Sequence, residues 1–427
     1  MYQSSFHPSA KLALRLVALA SAICCVGTAN AQASGSGVTL YGIADVGVTQ
    51  VTGLKAGTVT QVSSGIMDGS RWGIRGNEDM GGGYRTIFTL ESRVELTNGS
   101  QTNRPVSGSQ LSDRYSQAGL LGLPSALQPA VNAVDSLIAQ GFGVNVAGSL
   151  FDRQAYVGVV TPVGAFLAGR MYTPGYEASA AYDIMETQSG LAAGQLVAVT
   201  SILEIRRSSS LAYRFEKDGL SGSLMYSEGA PGDAPTDQKR LWGARGNYAS
   251  GDFSMGFGYN TANNENGATT LTTASLGASM KFGADKLSGM VIKIVDDNPS
   301  GFSAIKTALT PTLGAGTAGL VQSAFVNAFK LDGNLYHIGY RHTMGQNSLY
   351  VAYSTYQDNR ASNNVRSYGT AYTYSLSKRT DLSAVLVRFD NDNLSQSAPG
   401  GTGYLGGVTS SAGTGATQIA LGLRHRF

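Results

Sequence analysis

Beyond Val26 this chain has no run approaching 18 consecutive apolar residues, yet many of its segments alternate strictly between apolar and polar side chains. A helix that crosses a bilayer needs about 20 predominantly apolar residues. Any crossing of a membrane must therefore be made by strands, and strands satisfy all their backbone groups in lipid only when the sheet closes into a barrel. The alternation has the period at which a strand sends successive side chains to opposite faces. From Val38 to Val48, the residues Val38, Leu40, Gly42, Ala44, Val46 and Val48 share one face and Thr39, Tyr41, Asp45 and Gly47 the other. Phe253, Met255, Phe257 and Tyr259 alternate with Ser254, Gly256, Gly258 and Asn260, and Ala274, Leu276, Ala278 and Met280 with Ser275, Gly277, Ser279 and Lys281. One face suits lipid and the other water.

A water-soluble sandwich alternates in the same way, and the connections separate the two. Short links fall at 77–82, 161–164, 217–219, 249–251, 282–285, 344–346 and 377–379. Between them lie long, polar, glycine-rich links over 51–65, 97–150, 172–207, 228–239, 261–272, 296–330, 357–365 and 390–416. Tight turns alternating with long loops are the pattern of an outer-membrane barrel. Strands are predicted to start near 38, 66, 83, 151, 164, 208, 220, 240, 252, 273, 286, 331, 347, 366, 380 and 417. The expected fold is thus all-β, a 16-stranded antiparallel transmembrane barrel, and that many strands enclose an aqueous channel rather than a core filled by side chains. Two long links carry helical spacing: Leu127, Val131, Val134 and Ile138 in one, and Leu320, Ala324, Phe325 and Ala328 in the other. Each predicts a short surface helix packed on the barrel rim or on a neighbour.

Composition agrees, since 56 glycines with 21 tyrosines and only 42% hydrophobic residues suit many strands joined by turns better than a helical core. The front of the chain places Lys11 and Arg15 before an apolar run from Leu16 to Val26 and then Ala29-Asn30-Ala31, the order of a secretory signal peptide cleaved after Ala31. Residues 32–427 are then the barrel domain. Both cysteines, Cys24 and Cys25, lie in the leader, so the barrel holds no disulfide or thiolate metal site. The chain has 31 Lys and Arg against 28 Asp and Glu, a near balance without a nucleic-acid signature. Catalysis by a hydroxyl nucleophile needs a positioned base. Only His337, His342 and His425 follow the leader, and the first two fall on opposite faces of one strand. No catalytic residue, metal or cofactor is predicted.

The last strand, Thr417 to Phe427, puts Ile419, Leu421, Leu423, His425 and Phe427 on one face and Arg424 and Arg426 on the other. It is expected to pair with the first strand and to seat Phe427 and His425 in the interfacial aromatic girdle. At this point the chain resembles the general porins of beta-proteobacteria, which include the neisserial porins. The resemblance rests on Val38-Thr39-Leu40-Tyr41-Gly42 with Asp45; Ser70-Arg71-Trp72-Gly73-Ile74-Arg75-Gly76 with Glu78-Asp79; Phe88-Thr89-Leu90-Glu91-Ser92; Arg153-Gln154-Ala155-Tyr156-Val157-Gly158; Gly169-Arg170 with Tyr172-Thr173-Pro174; Ser377-Lys378-Arg379-Thr380; and Gly422-Leu423-Arg424-His425-Arg426-Phe427. It implies a homotrimeric barrel in the Gram-negative outer membrane, in contact with its lipids and lipopolysaccharide, that passes small hydrophilic solutes and ions. It also implies a third outer loop, here 172–207, folded into the lumen, and assembly machinery that reads the terminal strand through Leu423, His425 and Phe427. The chain departs from the family in a longer second loop, 97–150, and in Glu204-Ile205-Arg206-Arg207, and both bear on pore width and selectivity. A channel specific for a small anionic metabolite is the other reading that lengthened loops allow.

Such pores select by lumen diameter and by charges at the narrowest point. If Trp72 and Ile74 face lipid, Arg71 and Arg75 face the lumen; if Phe88 and Leu90 face lipid, Glu91 and Arg93 face inward. The resemblance places Arg170 on the basic side of the constriction. Arg153, near a strand end, is expected to cap a turn or bind lipid phosphate. The opposing acids are Glu177, Asp183, Glu186 and Glu204 of the loop. Arginines facing carboxylates would set a transverse field across the lumen.

Overall fold

The computed structural model describes residues 36–101, 111–140, 149–196, 205–229, 239–399 and 408–427. The expected leader, with Cys24 and Cys25, and Glu204 lie outside them. Among the described residues seventeen strand segments form one antiparallel sheet, and it closes where β1 (Gly37–Leu54) pairs with β17 (Ala416–Arg426), Asp45 standing opposite Arg424. On its other edge β1 pairs with two segments in turn, β2 (Gly57–Ser64) and β3 (Arg71–Gly81). These two are one broken strand, so the wall has sixteen strand positions. The remaining segments follow in chain order: β4 (Tyr84–Arg93), β5 (Gln154–Thr161), β6 (Gly164–Tyr172), β7 (Arg206–Lys217), β8 (Leu220–Ser227), β9 (Leu241–Ser250), β10 (Phe253–Asn263), β11 (Thr269–Phe282), β12 (Asp285–Asp296), β13 (Leu331–Met344), β14 (Asn347–Asp358), β15 (Val365–Ser375) and β16 (Thr380–Asn391).

The break lies inside what the sequence reads as one strand starting near 66, and most of the expected loop 51–65 is strand. Asp45 is the cause. Its carboxylate accepts the backbone N–H groups of Ile66 (2.9 Å), Met67 (2.9 Å) and Asp68 (2.7 Å), and its own N–H donates to Ser70 Oγ at 3.0 Å. Residues 65–70 are thereby pulled out of the ladder and turned towards the lumen. A side chain that supplies acceptors to three donors replaces the partners a strand would have given them.

Alternation assigns the two faces. Phe257 and Tyr259 of β10, Leu276 of β11, Ile338 of β13, Val351 of β14 and Leu421 of β17 are all exposed, while their neighbours Gly258, Asn260, Gly277, His337, Ala352 and Ala420 are buried. The exposed apolar side is the lipid face. Tight turns close one end; at Asp218-Gly219 both residues take positive φ (51° and 82°), the two-residue turn whose twist matches the strands it joins. The long connections occupy the other end.

Helix α1 (Asp113–Ser116) and α2 (Gln128–Gln140) lie in the link between β4 and β5, α3 (Pro174–Tyr182) follows β6, and α4 (Ala304–Phe329) joins β12 to β13. In α2 the predicted stripe holds, with Val131 and Val134 buried. The second predicted helix begins earlier than its periodicity showed and is bent at Gly314, whose φ of 73° and ψ of 156° are not helical. Its buried stripe is Ala318, Val321, Phe325 and Phe329, and Leu320 is 54% exposed. Both helices pack on one another rather than on the rim alone.

Candidate functional site

Thr173 caps the N-terminus of α3, accepting the Tyr176 N–H, with Pro174 at the first helical position where its missing donor costs nothing. The segment 174–196 then runs along the inward face of the wall. The Gly175 N–H donates to Asn260 Oδ1 at 3.0 Å, Tyr182 bonds Asn247, Ser288 donates to the Tyr182 carbonyl at 2.7 Å, and the Ile184 N–H donates to His337 Nε2 at 3.1 Å. Glycines of the wall make room for it. A Cβ on Gly258 would stand 2.5 Å from the Ala178 methyl, and one on Gly339 would stand 2.2 Å from Ile184. The lumen is therefore narrowed from one side by a loop seated on β9–β17.

The arc from β16 through β1 to β7 carries a chain of charges. Asp381 stands opposite Arg424 in the β16–β17 register and accepts from it and from Arg426 (2.8 Å); Arg424 also reaches Asp68 at 2.5 Å. Asp68, on the segment that Asp45 turns inward, holds Arg71 at 2.8 Å. Glu91 accepts from Arg153 Nε at 2.7 Å and from the Tyr41 hydroxyl at 3.0 Å, and Arg153 continues to the Tyr172 hydroxyl at 2.9 Å, over which Arg206 lies. Arg93 pairs with Glu95. Arg71, Glu91, Arg93 and Arg153 are all buried. Taking such charges from water is affordable only because each has an opposite charge and further hydrogen bonds.

Arg71, Arg75, Glu91 and Arg93 share the inward face, as alternation requires. Arg75 alone of the four is exposed, its guanidinium 5.1 Å from the Tyr41 ring. Arg153 was expected at a turn and instead sits at the centre of the chain of charges. Arg170 departs from its expected place. It shares its side of β6 with the exposed Phe166 and Ala168, sits at the register shift between Gly169 and Met171, and donates to the Asp152 carbonyl (2.6 Å) and Ser208 (2.9 Å). Arg206 and Arg153, not Arg170, line the cavity beside the loop with Arg93, Gln188 and Gln418.

The loop acids separate into two kinds. Glu177 is buried against Arg214 (2.5 Å) and Arg245 (3.6 Å), and Asp183 is buried with its oxygens accepting the N–H groups of Met185 and Ala193, each at 2.9 Å. These two hold the loop. Glu186 is exposed to the lumen at a positive φ of 55°. Crowding within the barrel, reinforced by the Asp68 carboxylate, pushes its carboxyl above the ordinary range, and Lys286 and Arg341 pull against that shift. Lys281, Lys286 and Arg341 stand side by side on the inward face of β11, β12 and β13. The sequence reading missed this row, although its parity was readable from Lys281 onward. It also missed Asp68 and Asp381, because their roles depend on a break in one strand and a register between two others.

The match to known proteins decides the family. The model of the Gram-negative porin family matches residues 16–394. The chain belongs to the Gram-negative porin family. An outer membrane porin protein of Bordetella pertussis is 25% identical over 442 residues, covering 96% of this chain and 99% of that protein. Outer membrane porin protein 32 of Delftia acidovorans is also 25% identical, over 417 residues, with 96% and 99% covered. Among solved structures, an anion-selective porin from Comamonas acidovorans superposes with a TM-score of 0.66 at 21% identity, covering 92% of this chain and all of that one. A trimer form of in-vitro folded OmpT from Vibrio cholerae does so with a TM-score of 0.56 at 14% identity, covering 92% of this chain. The barrel is thus an outer-membrane porin, and its water-facing lumen is a path for passive diffusion.

Proposed function

We propose that this porin admits small hydrophilic solutes through a constriction between the loop 172–207 and the charged wall, with a mild preference for anions. The observation that carries the sign is the balance of open charges. Among the described residues Arg75, Lys281, Lys286 and Arg341 face the lumen with no carboxylate within ion-pair distance, whereas Glu186 of the loop, close to Lys286 and Arg341, and Glu216 on the inward side of β7 are carboxylates without an ion-pair partner. Most other lumen charges are paired and cancel at the distance of a passing ion. The anion-selective Comamonas porin and the OmpT trimer form are compatible with the same preference and with a homotrimer here. Nothing in the charge pattern calls for chemistry on the solute, and we read the protein as a channel rather than an enzyme. The lengthened links allow the narrower reading of a channel tuned to a small anionic metabolite.

The test is the zero-current potential across a planar bilayer under a salt gradient, for the wild type and for a Lys286→Gln, Arg75→Ala variant. An anion-directed potential that moves towards cations in the variant supports the assignment. An unchanged potential removes these side chains from the constriction.

A further inference from the structure

The second and sixth long links meet each other, and the topology says where. The link after β4 leaves the wall between strand positions three and four, and the link after β12 between positions eleven and twelve. These departures are half the circumference apart. Sixteen strands spaced about 4.8 Å apart and tilted by about 40° give a barrel about 30 Å across, so each link must reach roughly 15 Å inward to touch the other. Helix α2, with 13 residues, supplies about 20 Å at 1.5 Å per residue.

They touch through a dry core. Leu111, Val131 and Val134 of the second link are buried with Val321 and Phe325 of the sixth, and the Tyr115 and Phe329 rings stack at 4.2 Å between centroids. This core is anchored around the mouth. Asp113 takes Lys55 of the β1–β2 turn at 2.8 Å and donates its N–H to Gln396 Oε1 at 2.6 Å, in the link after β16. Within α4 the two legs on either side of Gly314 fold together, with the Lys306 N–H donating to Gln322 Oε1 at 3.0 Å.

We propose that α1, α2 and α4 form a fixed cap over part of the loop-side mouth and set the size limit for solutes entering from that side. The cap acts in series with the inner constriction and separately from it, and it rests on the porin reading. Charge separates the two filters. The 26 residues of α4 carry Lys306 as their one ionisable side chain, so α4 narrows the entrance without changing the preference between ions.

The experiment uses the full chain reconstituted in planar bilayers, with poly(ethylene glycols) of graded mass added to one side at a time. Two variants are compared with the wild type: residues 307–328 replaced by a glycine-serine linker, and Val131→Asn with Phe325→Asn, which wets the core of the cap without adding charge. Circular dichroism checks that the strands survive. In both variants the loop-side exclusion limit shifts to larger polymers, while the turn-side limit and the zero-current potential stay where they were. An unchanged loop-side limit in variants with intact strands overturns the cap. A wild type without conductance steps overturns the pore reading instead.

Discussion

Replacing Glu186 by glutamine removes the exposed loop carboxylate from the lumen with little change in shape. At a separation of about 5 Å in water two unit charges interact by about 0.8 kcal/mol, and screening in 0.1 M salt reduces this to about 0.5 kcal/mol. An anion passing Glu186→Gln is spared that repulsion and a cation loses that attraction, so the anion-to-cation permeability ratio rises by about fivefold. In 1 M salt, where the Debye length is about 3 Å, the same change falls below about twofold. The assay is the zero-current potential measured at both ionic strengths. Because surroundings raise the Glu186 carboxyl, acidification neutralises it earlier than an ordinary glutamate. The wild type therefore becomes more anion-preferring as pH falls through that raised pKa, and the variant lacks this step. An equal shift at low and high salt, or a pH step that survives in Glu186→Gln, would refute the reasoning.

Glu91→Gln should act on stability, because it removes a buried carboxylate that binds Arg153 and Tyr41, and breaking a buried ion pair costs about 3–5 kcal/mol; thermal unfolding in detergent reads the loss, and an unchanged midpoint contradicts it. Gly258→Val drives a side chain into Ala178, so the seat of α3 is overpacked by about 1–3 kcal/mol; conductance should change with it, and a channel of unaltered conductance would mean the loop is seated elsewhere. Phe257→Arg places a charge on the lipid face at a cost of about 2–4 kcal/mol near the midplane. Folding into lipid vesicles measures that cost, and a value near zero would put Phe257 outside the hydrocarbon region.

The barrel was legible because its signal is local. Alternation in Val38–Val48 or Phe253–Asn260 needs only neighbouring residues, and the closing strand was readable from the apolar face of Thr417–Phe427. The break at 65–70 was not legible, because the acceptor that causes it, Asp45, is some twenty residues upstream and looks like any other polar residue on a wet face. The constriction was legible in its wall and not in its loop. Parity placed Arg71, Arg75, Glu91 and Arg93 inward, whereas Arg170, assigned to the basic side by family resemblance rather than by parity, shares the side of β6 that carries Phe166 and Ala168. Within the loop, composition named Glu177, Asp183 and Glu186 alike. Only packing distinguishes the carboxylates tied to Arg214 and to backbone N–H groups from the one that faces water. The meeting of α2 with α4 required knowing that their strands stand on opposite sides of a closed ring.

Passive diffusion through a water-filled lumen is tested most directly by the conductance of single reconstituted channels as bulk salt is raised. The account predicts discrete steps whose size rises nearly in proportion to salt concentration, without saturation. A folded barrel that gave no steps, or a conductance that saturated at low salt as a tight binding site would impose, would contradict it.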